Sequence, residues 1–80
     1  MKIQVKLFAT LQRYAPDGES AGEPFIVELP EKSSIKELME QLGIREREAK
    51  VAFVNGRARA NMYRLSPDDE VGIFPPVGGG

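Results

Sequence analysis

The chain has 80 residues, a formal net charge of −1 and a pI near 5.4, a balance that leaves no electrostatic footprint for nucleic acid. It holds no Cys and no His, which excludes disulfides, thiolate or imidazole zinc sites, and Cys–His or Ser–His catalysis. At 41% hydrophobic and 29% charged residues it reads as one small globular domain with a modest core, and the lack of cysteine fits a cytoplasmic protein.

The first segment, residues 2–8, alternates. Ile3, Val5 and Leu7 share one face and Lys2, Gln4 and Lys6 the other, which predicts a half-buried strand. Gln4 and Lys6 also interrupt any apolar run, so no signal peptide is expected. Nothing approaches the ~20 apolar residues of a membrane span. Ala9 to Tyr14 predicts a short helical turn. Residues 15–24, with Pro16, Asp17-Gly18, Gly22 and Pro24, predict a loop.

Phe25 to Leu29 predicts a second strand, with Phe25, Val27 and Leu29 inward and Pro30 ending it. Ser34-Ile35-Lys36-Glu37 matches a capping box. Ile35, Leu38, Met39 and Leu42 then follow the spacing of one helix face. Gly43 sits where a left-handed residue closes a helix, and Ile44 can pack back on Met39. The helix is predicted over 35–42.

Arg45 to Lys50 reads as a mixed-sign solvated surface. Val51 to Val54 predicts a third strand, and Asn55-Gly56 predicts a type I′ hairpin. Residues 57–60 return as a short edge strand, where Arg57 and Arg59 discourage edge-to-edge pairing. Those two arginines with Arg64 are alternatively a basic rim for an anionic partner. Residues 61–69 form a loop anchored by Leu65. In it, Asp68-Asp69 with Glu70 reads either as a docking surface for a basic cleft or, more cheaply, as a solvated turn. Glu70 to Phe74 is the last strand, stopped by Pro75.

The order is strand, strand, helix, strand, strand, strand. A lone helix with one apolar face covers one face of a single sheet. A crossover through it sets a late strand parallel to the first. The expected fold class is α+β. It is a β-grasp, or ubiquitin-like, fold, with a mixed sheet of four to five strands and one main helix packed on one face. Residues 1–74 form the domain and residues 75–80 a flexible tail.

Two phenylalanines break their strands' pattern. Phe8 falls on the polar face of the first strand, and Phe74 falls with Glu70 and Gly72 on the outer face of the last. Adjacent strands would bring the two rings together. They then form an exposed apolar patch of the kind that marks an interface, or they tuck over the rim of the core. The repetition at corresponding strand ends favours the interface. The tail, Pro75-Pro76-Val77-Gly78-Gly79-Gly80, is stiff at its root because proline fixes φ and lacks an N–H. It is slim at its end because glycine carries no side chain. Extended, it reaches roughly 20 Å. It reads as a carboxylate on a thin stalk or as a frayed end.

These features together resemble one family. The segment Asp68-Asp69-Glu70-Val71-Gly72-Ile73-Phe74-Pro75-Pro76-Val77-Gly78-Gly79-Gly80, with Lys6-Leu7-Phe8-Ala9 and Val54-Asn55-Gly56, is similar to the ubiquitin-like sulfur-carrier proteins. Among them it most resembles the small subunits of molybdopterin synthase. The resemblance implies that Gly80 is the reacting terminus. A ubiquitin-activating-type adenylyltransferase would spend ATP to adenylate it. A sulfur donor system would then convert it to a thiocarboxylate, and the tail would enter the large synthase subunit.

By the same resemblance, Phe8, Phe74 and Ala58 belong to the partner-binding face. Ala58 is smaller than the family often carries there, and Gly78 stands where alanine, serine or threonine is common. The chain is not catalytic alone, and no bound cofactor, metal, nucleic acid or membrane is implied. Two neighbouring roles share the same tail: a protein modifier forming isopeptide bonds, and a thiamine-pathway carrier. The double proline favours the synthase subunit over the thiamine carrier.

Overall fold

In the computed structural model, residues 1–16 and 22–76 are described. The strands are β1 (Lys2–Leu7), β2 (Phe25–Glu28), β3 (Val51–Val54), β4 (Arg57–Arg59) and β5 (Glu70–Phe74). They form one sheet in the order β2-β1-β5-β3-β4. β1 pairs antiparallel with β2 and parallel with β5, while β3 is antiparallel to both β5 and β4. The single α-helix among the described residues, α1, spans Ile35–Leu42. Two 3₁₀ turns, Ala9–Tyr14 and Glu46–Glu48, complete the elements. The expected mixed sheet with one main helix is therefore present, with five strands.

Period two sorts the sheet into two faces. Ile3, Val5 and Leu7 of β1, Val71 and Ile73 of β5, and Ala52 and Val54 of β3 are all buried. They form one core with Ile35, Leu38 and Met39 of α1, joined by Leu11, Ile44 and Leu65. Each fully buried aliphatic side chain of this kind contributes about 1.5–3 kcal/mol. The helix is closed at both ends as its sequence demands. Ser34 Oγ accepts from the Glu37 N–H at 3.2 Å, and the Ser34 N–H donates to Glu37 Oε1 at 2.8 Å. Gly43 is left-handed at φ 82°, and the Ile44 N–H returns to the Met39 carbonyl at 2.9 Å. Among the described residues no helix is long and apolar enough to cross a membrane.

Two loops are more tightly built than their composition suggests. Asn55 and Gly56 have φ of 52° and 86°, the values a type I′ turn needs. The Asn55 side chain does more than turn. Its Nδ2 donates to Asp69 Oδ1 and its Oδ1 accepts from the Glu70 N–H, both at 2.9 Å. Asp69 Oδ2 accepts from the Ser66 N–H at 2.8 Å. Asp69 is thus buried and structural, not solvated, while Asp68 and Glu70 are exposed. This clamp ties the β3–β4 turn to the start of β5.

Asp69→Ala should lower unfolding free energy by about 1–3 kcal/mol, because two donors lose their partner. Asp68→Asn should stay within about 0.5 kcal/mol of wild type. Chemical denaturation of the two variants beside the wild type checks the contrast.

Candidate functional site

The face of the sheet opposite α1 has no covering layer among the described residues. Ladder register arranges its side chains in rows. Nearest the chain's exit, Phe8 follows Leu7, which pairs with Ile73, so Phe8 stands beside Phe74. The middle row runs Lys6, Gly72, Phe53 and Ala58. The far row carries Ile26, Gln4 and Glu70.

Phe8 lies one residue beyond β1 yet keeps extended backbone, with φ −114° and ψ 149°. Its N–H continues the ladder to the Ile73 carbonyl at 3.2 Å. Ala9 does not extend it further, since it is left-handed at φ 52°, a conformation that costs an alanine on the order of 1 kcal/mol. The strand therefore ends with the ring of Phe8 on the outer face. On β5 the Phe74 carbonyl accepts from the Lys50 N–H at 2.8 Å. Pro75 and Pro76 follow, and neither has an N–H with which to prolong the sheet.

The rings of Phe8 and Phe74 stack with centroids 4.0 Å apart and planes 10° from parallel. Phe53 meets Phe74 edge-on at 5.6 Å and 77°. Such pairs are worth about 0.5–1.5 kcal/mol each beyond burial. All three rings are half-buried, and none belongs to the core beneath α1. The groove they border has a volume of about 340 Å³. Gly72 is its floor: a Cβ built there would lie 3.2 Å from Phe8 Cε1 and 3.7 Å from Phe74 Cε1. Lys6 Nζ stands 5.2 Å from the Phe8 centroid.

The structure brings Phe8 and Phe74 together at the root of the tail. Ala58 is exposed on edge strand β4, opposite Phe53. Pro75 is half-buried and Pro76 exposed. Val77, Gly78, Gly79 and Gly80 lie outside the described residues. Two of the three arginines find separate partners: Arg59 lies over Tyr63 at 4.7 Å, and Arg64 bonds the Lys32 carbonyl and pairs with Glu37.

Sequence reasoning missed Phe53 and the role of Gly72. The signal for Phe53 was present, because a two-residue turn at Asn55-Gly56 forces Phe53 opposite Ala58. The continuous apolar run Val51 to Val54 hid which of its residues faced out.

Glu48 is also more than surface charge. Its carboxylate lies 2.7 Å from the Tyr14 hydroxyl at both oxygens, accepts from Arg13, and accepts the Arg45 N–H at 3.0 Å. This latch joins the two 3₁₀ turns. The Tyr14 hydroxyl, then the Arg45 N–H and Arg13, hold the carboxyl below its ordinary value of 4.5. A depressed carboxyl pKa stabilises the fold above the ordinary value, and that contribution is lost as pH falls through the folded one. Glu48→Gln should therefore melt below wild type near neutral pH, with the gap closing as pH drops below about 4. Glu37, shifted in the same direction by Ser34, is common to both proteins and cancels. Paired thermal melts from about pH 7 to about pH 3 measure the difference.

The model of the ThiS family matches residues 5–80. No curated protein sequence matches significantly. Among solved structures, a Pyrococcus furiosus protein assigned as molybdopterin converting factor subunit 1 is 26% identical with a TM-score of 0.72, covering 95% of this chain and 98% of that one. Small archaeal modifier protein 1 of H. volcanii is 20% identical with a TM-score of 0.71, covering 95% and 98%. In a complex of subunits 1 and 2 of molybdopterin-converting factor from Helicobacter pylori 26695, the matched chain is 22% identical with a TM-score of 0.63 and full coverage of both.

Proposed function

This chain belongs to the ThiS family of ubiquitin-like sulfur carriers, and we propose that it serves as the small, sulfur-donating subunit of a molybdopterin synthase. The observation that carries the reading is the Phe8–Phe74 stack at 4.0 Å, at the point where β5 ends and the chain runs on to Gly80. An apolar platform beside the tail's root suits a protein whose terminus must enter another protein's active site. The likeness to molybdopterin converting factor subunit 1 and the two-subunit complex of the Helicobacter pylori relative support the choice of partner.

In this role the Gly80 carboxylate attacks the α-phosphorus of ATP on an adenylyltransferase, releasing pyrophosphate. An ionised carboxylate is a poor electrophile, and the acyl-adenylate supplies the missing leaving group. A sulfide equivalent from the donor system then adds to the carbonyl carbon and expels AMP, leaving a thiocarboxylate. Sulfur is a better nucleophile than the oxygen it replaces, so the terminus now donates to the pterin precursor in the large subunit. Gly78 and Gly79 let the terminus pass through a narrow cleft. Pro75 and Pro76 cannot extend the β-ladder, because neither has an N–H. This chain contributes a docking face and a reagent. The partners contribute the catalytic groups, as suits a sequence without Cys or His.

A second reading, a protein modifier that forms isopeptide bonds, draws on the fold shared with the H. volcanii modifier. It uses the same adenylated terminus, as would a carrier for thiamine.

Incubation with ATP, the cognate activating enzyme and a sulfur donor should yield the oxygen-to-sulfur mass increment at Gly80 by intact mass spectrometry. Deleting Gly80 should abolish that increment and leave the melting temperature unchanged; sulfur loading of the truncated chain would sink the proposal. Adducts on other proteins in place of the increment would mark a modifier. Phe74→Asp should weaken large-subunit binding by about tenfold or more, with a smaller effect on folding.

A further inference from the structure

We propose that Gly72 determines specificity on this face by keeping open a socket for one apolar side chain of the large subunit, flanked by a partner carboxylate that pairs with Lys6. The inference rests on the role proposed above and adds the chemistry of the contact. Gly72 pairs with Lys6 on one side and Phe53 on the other. It is not at a positive-φ position, so its backbone does not require glycine. Glycine inside a strand weakens the strand. What the missing side chain provides is space. A Cβ at residue 72 would stand 3.2 Å from Phe8 Cε1, tighter than an unshifted ring accepts. Without it, Phe8 lies flat against Phe74, and both lean over the glycine backbone.

The resulting space has three aromatic walls, Phe8, Phe74 and Phe53, and a volume of about 340 Å³. That is the low end of the ~300–1,000 Å³ range of ligand pockets. It is open and mainly apolar, and its polar lining, Gln4, Lys6 and Glu70, lies outside the Phe8–Phe74 row. It fits an anchoring side chain from a protein surface. Because Phe74 forms a wall and is also the last strand residue before Pro75, a protein that takes the tail covers the socket too.

Charge sets the partner's orientation. Lys6 and Glu70 border the floor, and neither forms an ion pair among the described residues. A partner carboxylate is favoured beside Lys6 and disfavoured beside Glu70.

The test uses the full chain and the purified cognate large subunit, with affinity measured by calorimetry and folding by thermal melts. Gly72→Ala should remain folded and bind about tenfold more weakly. Gly72→Val should bind more weakly still. Folded Gly72 variants that bind like wild type would overturn the socket. Lys6→Glu is at an exposed position and tests the charge separately. It should cost about tenfold in affinity and flatten the salt dependence seen in wild type. Unchanged affinity and an unchanged salt slope in Lys6→Glu would overturn the carboxylate partner. A wild-type chain that accepts the thiocarboxylate but binds no large subunit would overturn the occupant and leave the sulfur-carrier role standing. Absence of the thiocarboxylate itself would overturn that role.

Discussion

The parallel pairing of β1 with β5, Gln4 with Glu70 through Leu7 with Ile73, is the constraint on which the rest of the molecule depends. Parallel neighbours cannot be joined by a tight turn; they need a long crossover. Here β2, α1, β3 and β4 all fall between the two strands in sequence. The first and last strands consequently occupy the middle of the sheet, and both end at the same rim. That puts Phe8 beside Phe74 and makes the chain leave the domain from the sheet's centre. An antiparallel pairing of the same two strands would have put the rings at opposite ends.

The second constraint is that one helix covers one face. With α1 and the core on one side, the outer face needs its own solution to solvent. On most of that face the solution is polar: Lys2, Gln4, Lys6, Glu28 and Glu70 are exposed. At the tail's root it is aromatic, and the rings partly shield one another by stacking at 4.0 Å and 5.6 Å. An unpartnered apolar surface carries a cost that a binding partner would relieve. The Phe8–Phe74 pair lies at the rim, so that relief is coupled to the point where the chain leaves β5.

The fold was legible where local and global signals agree. Alternation in Lys2 to Phe8, the capping box at Ser34 and Glu37, Gly43, and the Asn55-Gly56 turn each determine their element with short-range physics. Phe8 and Phe74 were found by the same period-two rule, because each departs from an otherwise regular strand. What stayed hidden depends on long-range pairing. Phe53 sits in a run that is apolar on both faces. Gly72 resembles any strand glycine until Phe8 is known to lie above it. Asp69 and Glu48 looked like solvent-facing charges. Their distant partners, Asn55 for Asp69 and Tyr14 and Arg13 for Glu48, are set by tertiary structure, which composition does not encode.

In the proposed role, recognition and reaction are separated along the chain, and the separation has a physical rationale. A thiocarboxylate must be held tightly enough to react but must leave so that the carrier can be recharged. Tight contacts along a glycine tail would fix the reacting atoms but slow release. A docking face of aromatic side chains on rigid strands gives affinity with little ordering entropy, since each ring has two side-chain torsions and is already packed. Affinity can then reside in the platform while the terminus is merely positioned. Pro75 and Pro76 mark the boundary between the two tasks. They end the hydrogen-bonded ladder because they have no donor to extend it, so β5 cannot draw the tail into the sheet.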